Sequence, residues 1–228
     1  MPSLVGSEMC IRDRSGLELL STQKLQLVDA LSPLHAGLII SAMALSAIPT
    51  SILGGATLHR LGFLPLISGG FLLMATGMAL LLATRGEALA LLVVALVLTG
   101  LGAGLAMSVS STAIINAAPL HRTGMAAGVE AVSYEFGTLI SIALTGTLVP
   151  LLMARELPPH LAELGTDALH HPASHATAAS AYNAGYLSTI GGLACFALLL
   201  AAITAWCFRD NPKSGDPHAA NQQKDRSP

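Results

Sequence analysis

The chain has 228 residues, 53% of them hydrophobic and 11% charged, with a mean hydropathy of +0.66 and a formal net charge of −2. A soluble domain carries about twice that charged share, so the composition excludes a water-covered globular protein and points to a polytopic membrane protein. It also argues against nucleic acid, because no basic patch is present to neutralise phosphates.

Residues 1–14 lack the basic n-region and apolar h-region of a signal peptide. They resemble translated sequencing-adapter read-through and are set aside from fold reasoning; the expectation is that the protein continues upstream. From 15 to 28 the apolar residues Leu17, Leu20, Leu25 and Val28 form a helical stripe too short and too polar to span a bilayer. It reads as the end of a truncated helix. Ser32 is then placed to cap a new helix, with Pro33 favourable in its first turn.

The first full span covers about 34–58. It is free of Asp, Glu, Lys and Arg and is expected to kink near Pro49. A short turn bearing His59 and Arg60 leads to a second span at 63–83, and a turn at 84–87 leads to a third at 88–109. The third span carries Gly100, Gly102 and Gly104, small residues that let a neighbouring helix approach closely. With no strand before it and no Lys-Ser/Thr after it, this glycine run is not a phosphate loop. A more polar loop to Thr123 precedes span four at 124–153, and the long connection 154–184 precedes span five at 185–208. Tyr186 and Trp206 read as interfacial anchors near its ends. The charged tail, 209–228, is expected to be disordered.

Lys and Arg counts orient the bundle. Arg60, Arg122, Arg209, Lys213, Lys224 and Arg226 fall on one side, which is expected to be cytoplasmic, against Lys24, Arg85 and Arg155 on the other. The loop 154–184 is then external. Its histidines His160, His170, His171 and His175 have no spaced cysteine or carboxylate partner, so they read as a solvated loop rather than a metal site. Cys10, Cys195 and Cys207 likewise lack metal or disulfide spacing.

Span four holds the main functional clue. If it starts near Thr123, Glu130 lies about 11 Å and Glu135 about 18 Å along it, astride the middle of a hydrocarbon core about 30 Å thick. Carboxylates at that depth normally face a bundle interior or wet cavity and mark an ion or substrate path; the alternative is a structural hydrogen-bonding pair between helices. The spans contain no His/Asp or Ser/His cluster of the kind an intramembrane enzyme needs.

Several segments also resemble a known family. Residues 15–37, with the box Leu31-Ser-Pro-Leu-His-Ala-Gly37, resemble the segment joining two late helices in the fourteen-span drug/proton antiporters of the major facilitator superfamily, most closely the methyl viologen and quaternary ammonium efflux type. The stretch Gly124 to Gly137, with Glu130, Tyr134 and Glu135, is similar to the acidic penultimate helix of that group. Residues 55–62 resemble the weaker copy of its cytoplasmic Gly-x-x-x-x-Arg-x-Gly loop. The early helices and their antiporter motif are absent from this sequence.

The resemblance implies an all-α polytopic membrane protein: the C-terminal bundle of a major facilitator fold, with five full transmembrane helices and the end of a truncated one. It implies a multi-pass protein of the bacterial inner membrane, part of a proton-coupled efflux transporter for lipophilic cations. Its partners would be the bilayer, cation substrates, protons and a missing N-terminal half; no cofactor is expected. Glu130, Glu135 and Tyr134 would bind substrate and proton, with Glu135 beside Tyr134 in the cavity and Glu130 nearer the cytoplasmic gate. Arg60 would serve that gate or act as a topogenic charge. A metabolite or siderophore exporter of the same fold, or a non-transporting membrane scaffold, are the competing readings.

Overall fold

With almost no charge to interrupt them, the apolar runs can hide their backbone polar groups from lipid only by forming helices. The structure, a computed structural model, describes residues 16–85, 88–158, 161, 165–170 and 174–209. The adapter-like start and the tail beyond 209 lie outside the described residues.

We number the helices α1 (16–27), α2 (Pro33–Leu61), α3 (Phe63–Ala83), α4 (Leu89–Ala117), α5 (Thr123–Glu156) and α6 (His175–Arg209). A single 3-10 turn occupies Leu120–Arg122 and a two-turn 3-10 helix occupies Gly165–His170. Among the described residues, helices α2 to α6 are the five long and apolar enough to cross a membrane. Ser32 caps α2 by accepting the His35 N–H at 3.4 Å, and Pro33 opens its first turn. At its other end Gly62, at φ 78°, both terminates α2 and starts α3, a left-handed conformation that favours glycine.

Pro49 lies inside the continuous helix α2. Two expectations need adjustment. α4 continues through the polar stretch to Ala117, eight residues past the predicted span. α6 begins at His175, inside the predicted external loop, so Tyr186 sits three turns into the helix. It is fully buried rather than an interfacial anchor, whereas Trp206 is 68% exposed.

The helices pack as two groups. α4 lies between α2 and α3. It runs parallel to α2, with Gly100 against Met43, Gly104 against Ala47, and the Ser108 hydroxyl donating to the Ser51 carbonyl at 2.8 Å. It runs antiparallel to α3, where Gly102 meets Gly70 and Thr99 meets Gly77. The glycine run thus serves two neighbours, Gly100 and Gly104 facing one and Gly102 the other.

The second group is α1, α5 and α6. Gly185 of α6 rests on Val149 and Leu152 of α5, and Gly16 of α1 rests on Ser141 and Thr145. The groups meet where α3 packs along α6; near that seam Asn183 donates to the Arg85 carbonyl at 3.4 Å. These contacts put Arg60, His121 and Arg122 at one end of the bundle and Arg85, Arg155 and the 165–170 helix at the other.

Candidate functional site

α5 is packed along part of its length only. Gly137, Ser141, Thr145, Val149 and Met153, spaced four apart, form its buried stripe. The first half of the helix, before Gly137, is mostly exposed or half-buried. A surface that a water-soluble protein would fill with charge here carries Met125, Val129, Val132 and Phe136, which suit lipid or a neighbouring helix.

In that half lies an open concavity of about 340 Å3 lined by Ala127, Glu130, Ala131, Tyr134 and Glu135, all from α5. At about 100° per residue, Glu130 and Glu135 diverge by about 140° round the axis, and Tyr134 projects between them over the small side chains of Ala127 and Ala131. The three predicted residues of this helix therefore line one hollow. Glu130 and Tyr134 are half-buried and Glu135 is exposed, and both carboxylates line the hollow. Arg60 does not join them. It is exposed in the last turn of α2, where a cation complements the partial negative charge of the helix end.

Chemically the hollow offers two acidic oxygen pairs and a phenol above an alanine floor, which suits a flat or alkylated cation better than an anion. No cluster of three His, Cys, Asp or Glu that could hold a metal ion occurs among the described residues. His160 and His171 lie outside them.

The sequence reading overlooked a second polar group, at the opposite end. Lys24 of α1 is only 3% exposed, with its Nζ 5.4 Å from the centroid of the Tyr186 ring. Ser21 Oγ and Tyr186 Oη are 3.4 Å apart, and the Tyr182 hydroxyl donates to Gln23 Oε1 at 3.4 Å. The signal was present: Lys24 falls between Leu20 and Val28 at helical spacing, within the apolar stripe rather than opposite it.

Comparison with known proteins adds the following. The Major Facilitator Superfamily profile matches residues 17–227. The chain is 31% identical over 146 residues to Multidrug resistance protein Stp of Mycobacterium tuberculosis, an alignment covering 64% of this chain and 27% of that protein. It is 32% identical over 139 residues to Methyl viologen resistance protein SmvA of Salmonella typhimurium, covering 59% and 27% respectively. Multidrug efflux pump LfrA of Mycolicibacterium smegmatis is 28% identical over 147 residues, covering 64% and 29%. The chain thus matches a little over a quarter of the length of these relatives.

Proposed function

The chain belongs to the Major Facilitator Superfamily, as a multi-pass protein of the cell membrane, and from that premise we propose that it forms part of a proton-coupled efflux transporter for lipophilic cations. The observation that carries this reading is the hollow on α5, where Glu130, Tyr134 and Glu135 meet on a helix otherwise suited to lipid. Relatives named for multidrug and methyl viologen resistance support the substrate class.

The mechanism follows from charge exchange. Ionised carboxylates attract a cation whose own desolvation is cheap because its charge is spread and its surface apolar, and the Tyr134 ring adds a cation–π face. A proton arriving at the same carboxylates cancels their charge and releases the cation. A single site that holds either the cation or the proton couples their opposite movements without any covalent step. Transporters of this architecture place such sites between two helix bundles, and the open side of the hollow is where helices supplied upstream would close it.

The test is proton-driven efflux of methyl viologen by the full-length transporter carrying Glu130→Gln or Glu135→Gln. Each change keeps the shape and removes the charge. Each should lower efflux at least about tenfold, the equivalent of roughly 1.4 kcal/mol in the transport barrier, at unchanged membrane abundance. Unaltered proton-dependent efflux in Glu135→Gln would refute the assignment of that residue, and in both variants the reading itself.

A further inference from the structure

On α5, Glu130, Tyr134, Thr138, Ser141 and Thr145 are spaced by four, four, three and four residues, so they fall within about 80° of arc on one face. Ser141 and Thr145 are buried, at 3% and 2% exposure. Thr138 Oγ1 is buried with no hydrogen-bond partner among the described residues. A buried hydroxyl left without a partner is destabilising, and valine would fill the same space without it.

The polar file continues off α5. A Cβ on Gly16 of α1 would stand 2.8 Å from both Ser141 Oγ and Thr145 Cγ2, so α1 crosses α5 at this point with nothing between. Five residues on, about 7.5 Å along α1, Ser21 reaches Tyr186 of α6. Thr189, three residues from Tyr186 on α6, is buried beside the same seam. Gln23 and Tyr182 follow, at the end of the bundle where Asn183 meets Arg85. Val149 and Met153 on α5 and Ile190 and Ala194 on α6 belong to the buried apolar core, so the hydroxyls of these helices form a polar thread among apolar residues.

We propose that this thread, from Tyr182 and Tyr186 through Ser21, Thr145, Ser141 and Thr138, is the route by which protons from the outer face reach Glu130 and Glu135. This rests on the antiport reading above. Each hydroxyl accepts a proton on a lone pair from the outer side and passes its own inward, with water bridging the one-turn intervals. Only O–H bonds form and break; the proton enters from external water and ends on a carboxylate. Thr145 now donates to the Ser141 carbonyl at 2.7 Å, so its turn in the relay exchanges one hydrogen bond for another. The charged groups along the outer part of the thread are Glu18, Lys24 and Asp29, one cation against two anions, and Arg85, Arg155, Glu156 and Asp167 are the charged residues at the outer ends of α3 and α5 and in the 3-10 helix after α5. The entrance therefore does not repel a proton.

The experiment uses the full-length transporter in vesicles, with ethidium as probe and two readouts: uptake driven by a pH gradient, and one-for-one exchange of labelled for unlabelled ethidium without a gradient. Thr138→Val, Ser141→Ala and Thr145→Val should each slow the driven process about fivefold or more and leave exchange unchanged, while Thr138→Ser and Thr145→Ser should behave as wild type. Driven transport at the wild-type rate in the hydroxyl-free variants would overturn the route. So would an equal fall in both readouts, which marks a purely structural role. A wild type unable to exchange ethidium would instead overturn the antiport reading, and the route with it.

Discussion

A Cβ added at Gly70 on α3 would stand 2.9 Å from the Gly102 carbonyl and 3.0 Å from Ala106 Cβ, while one added at the adjacent Gly69 would meet nothing within 4 Å. The contact at Gly70 is with backbone, which cannot swing aside as a side-chain tip can. Gly70→Ala should therefore separate α3 from α4 and destabilise the protein by about 1–3 kcal/mol, the usual effect of overpacking. Gly69→Ala should be neutral or stabilising by up to about 1 kcal/mol, since alanine is the better helix former and nothing obstructs it. Thermal unfolding of the purified transporter in detergent reads both, and equal behaviour of the two variants would contradict the packing described. The sequence displayed both glycines and the tolerance they confer. Which of them touches a neighbour depends on how α3 is rotated toward α4, and that is set by tertiary contacts.

At the scale of elements, α2 and α4 are held by two hydroxyl contacts as well as by glycine. Ser46 donates to the Val97 carbonyl at 3.1 Å and Ser108 to the Ser51 carbonyl at 2.8 Å. In a membrane such bonds average about 0.6 kcal/mol each, because hydroxyls in separated helices find partners within their own turn; Ser46 already reaches the Met43 carbonyl at 2.9 Å. Ser46→Ala and Ser108→Ala should each lower stability by under about 1 kcal/mol and the double variant by their sum, as the contacts share no partner. A double variant that unfolds outright in a detergent denaturation series would show the seam to be far more polar in origin than its glycines suggest. The existence of these helices could be read from hydropathy, but their ends could not. Ser110, Ser111, Thr112 and Asn116 look like loop by polarity, yet they extend α4, since a helix continues past the lipid wherever its polar residues find protein or water. The start of α6 was missed in the same way: residues 176–184 are rich in alanine, the strongest helix former, but too polar to register as a span. The acidic pair and Tyr134 stood out because charge in an apolar run is conspicuous. The hydroxyl thread did not, since serine and threonine in membrane helices commonly bond their own carbonyls and only assembly of α1, α5 and α6 reveals their alignment.

For the molecule as a whole, the helix directions established by packing assign each loop to one of two ends, and charge then decides which end is cytoplasmic. Arg60, Arg122 and Arg209 belong to one end, and Arg85 and Arg155 to the other. Lys24, counted with the second group on sequence, is enclosed against Tyr186 and drops out of the comparison, which widens the bias toward the first end. Positive residues in short loops are retained in the cytoplasm, so His121 should lie inside and Thr166 outside. Both are exposed, which makes them suitable reporters. In a full-length transporter whose own cysteines, Cys195 and Cys207 among them, are replaced by alanine, a membrane-impermeant thiol reagent applied to intact cells should label Thr166→Cys and leave His121→Cys unlabelled until the membrane is opened. The reverse pattern would invert the bundle. It would also place the carboxylate hollow in the outer half and the Tyr182–Tyr186 end inside, so the sidedness measurement constrains the proton route as directly as the topology.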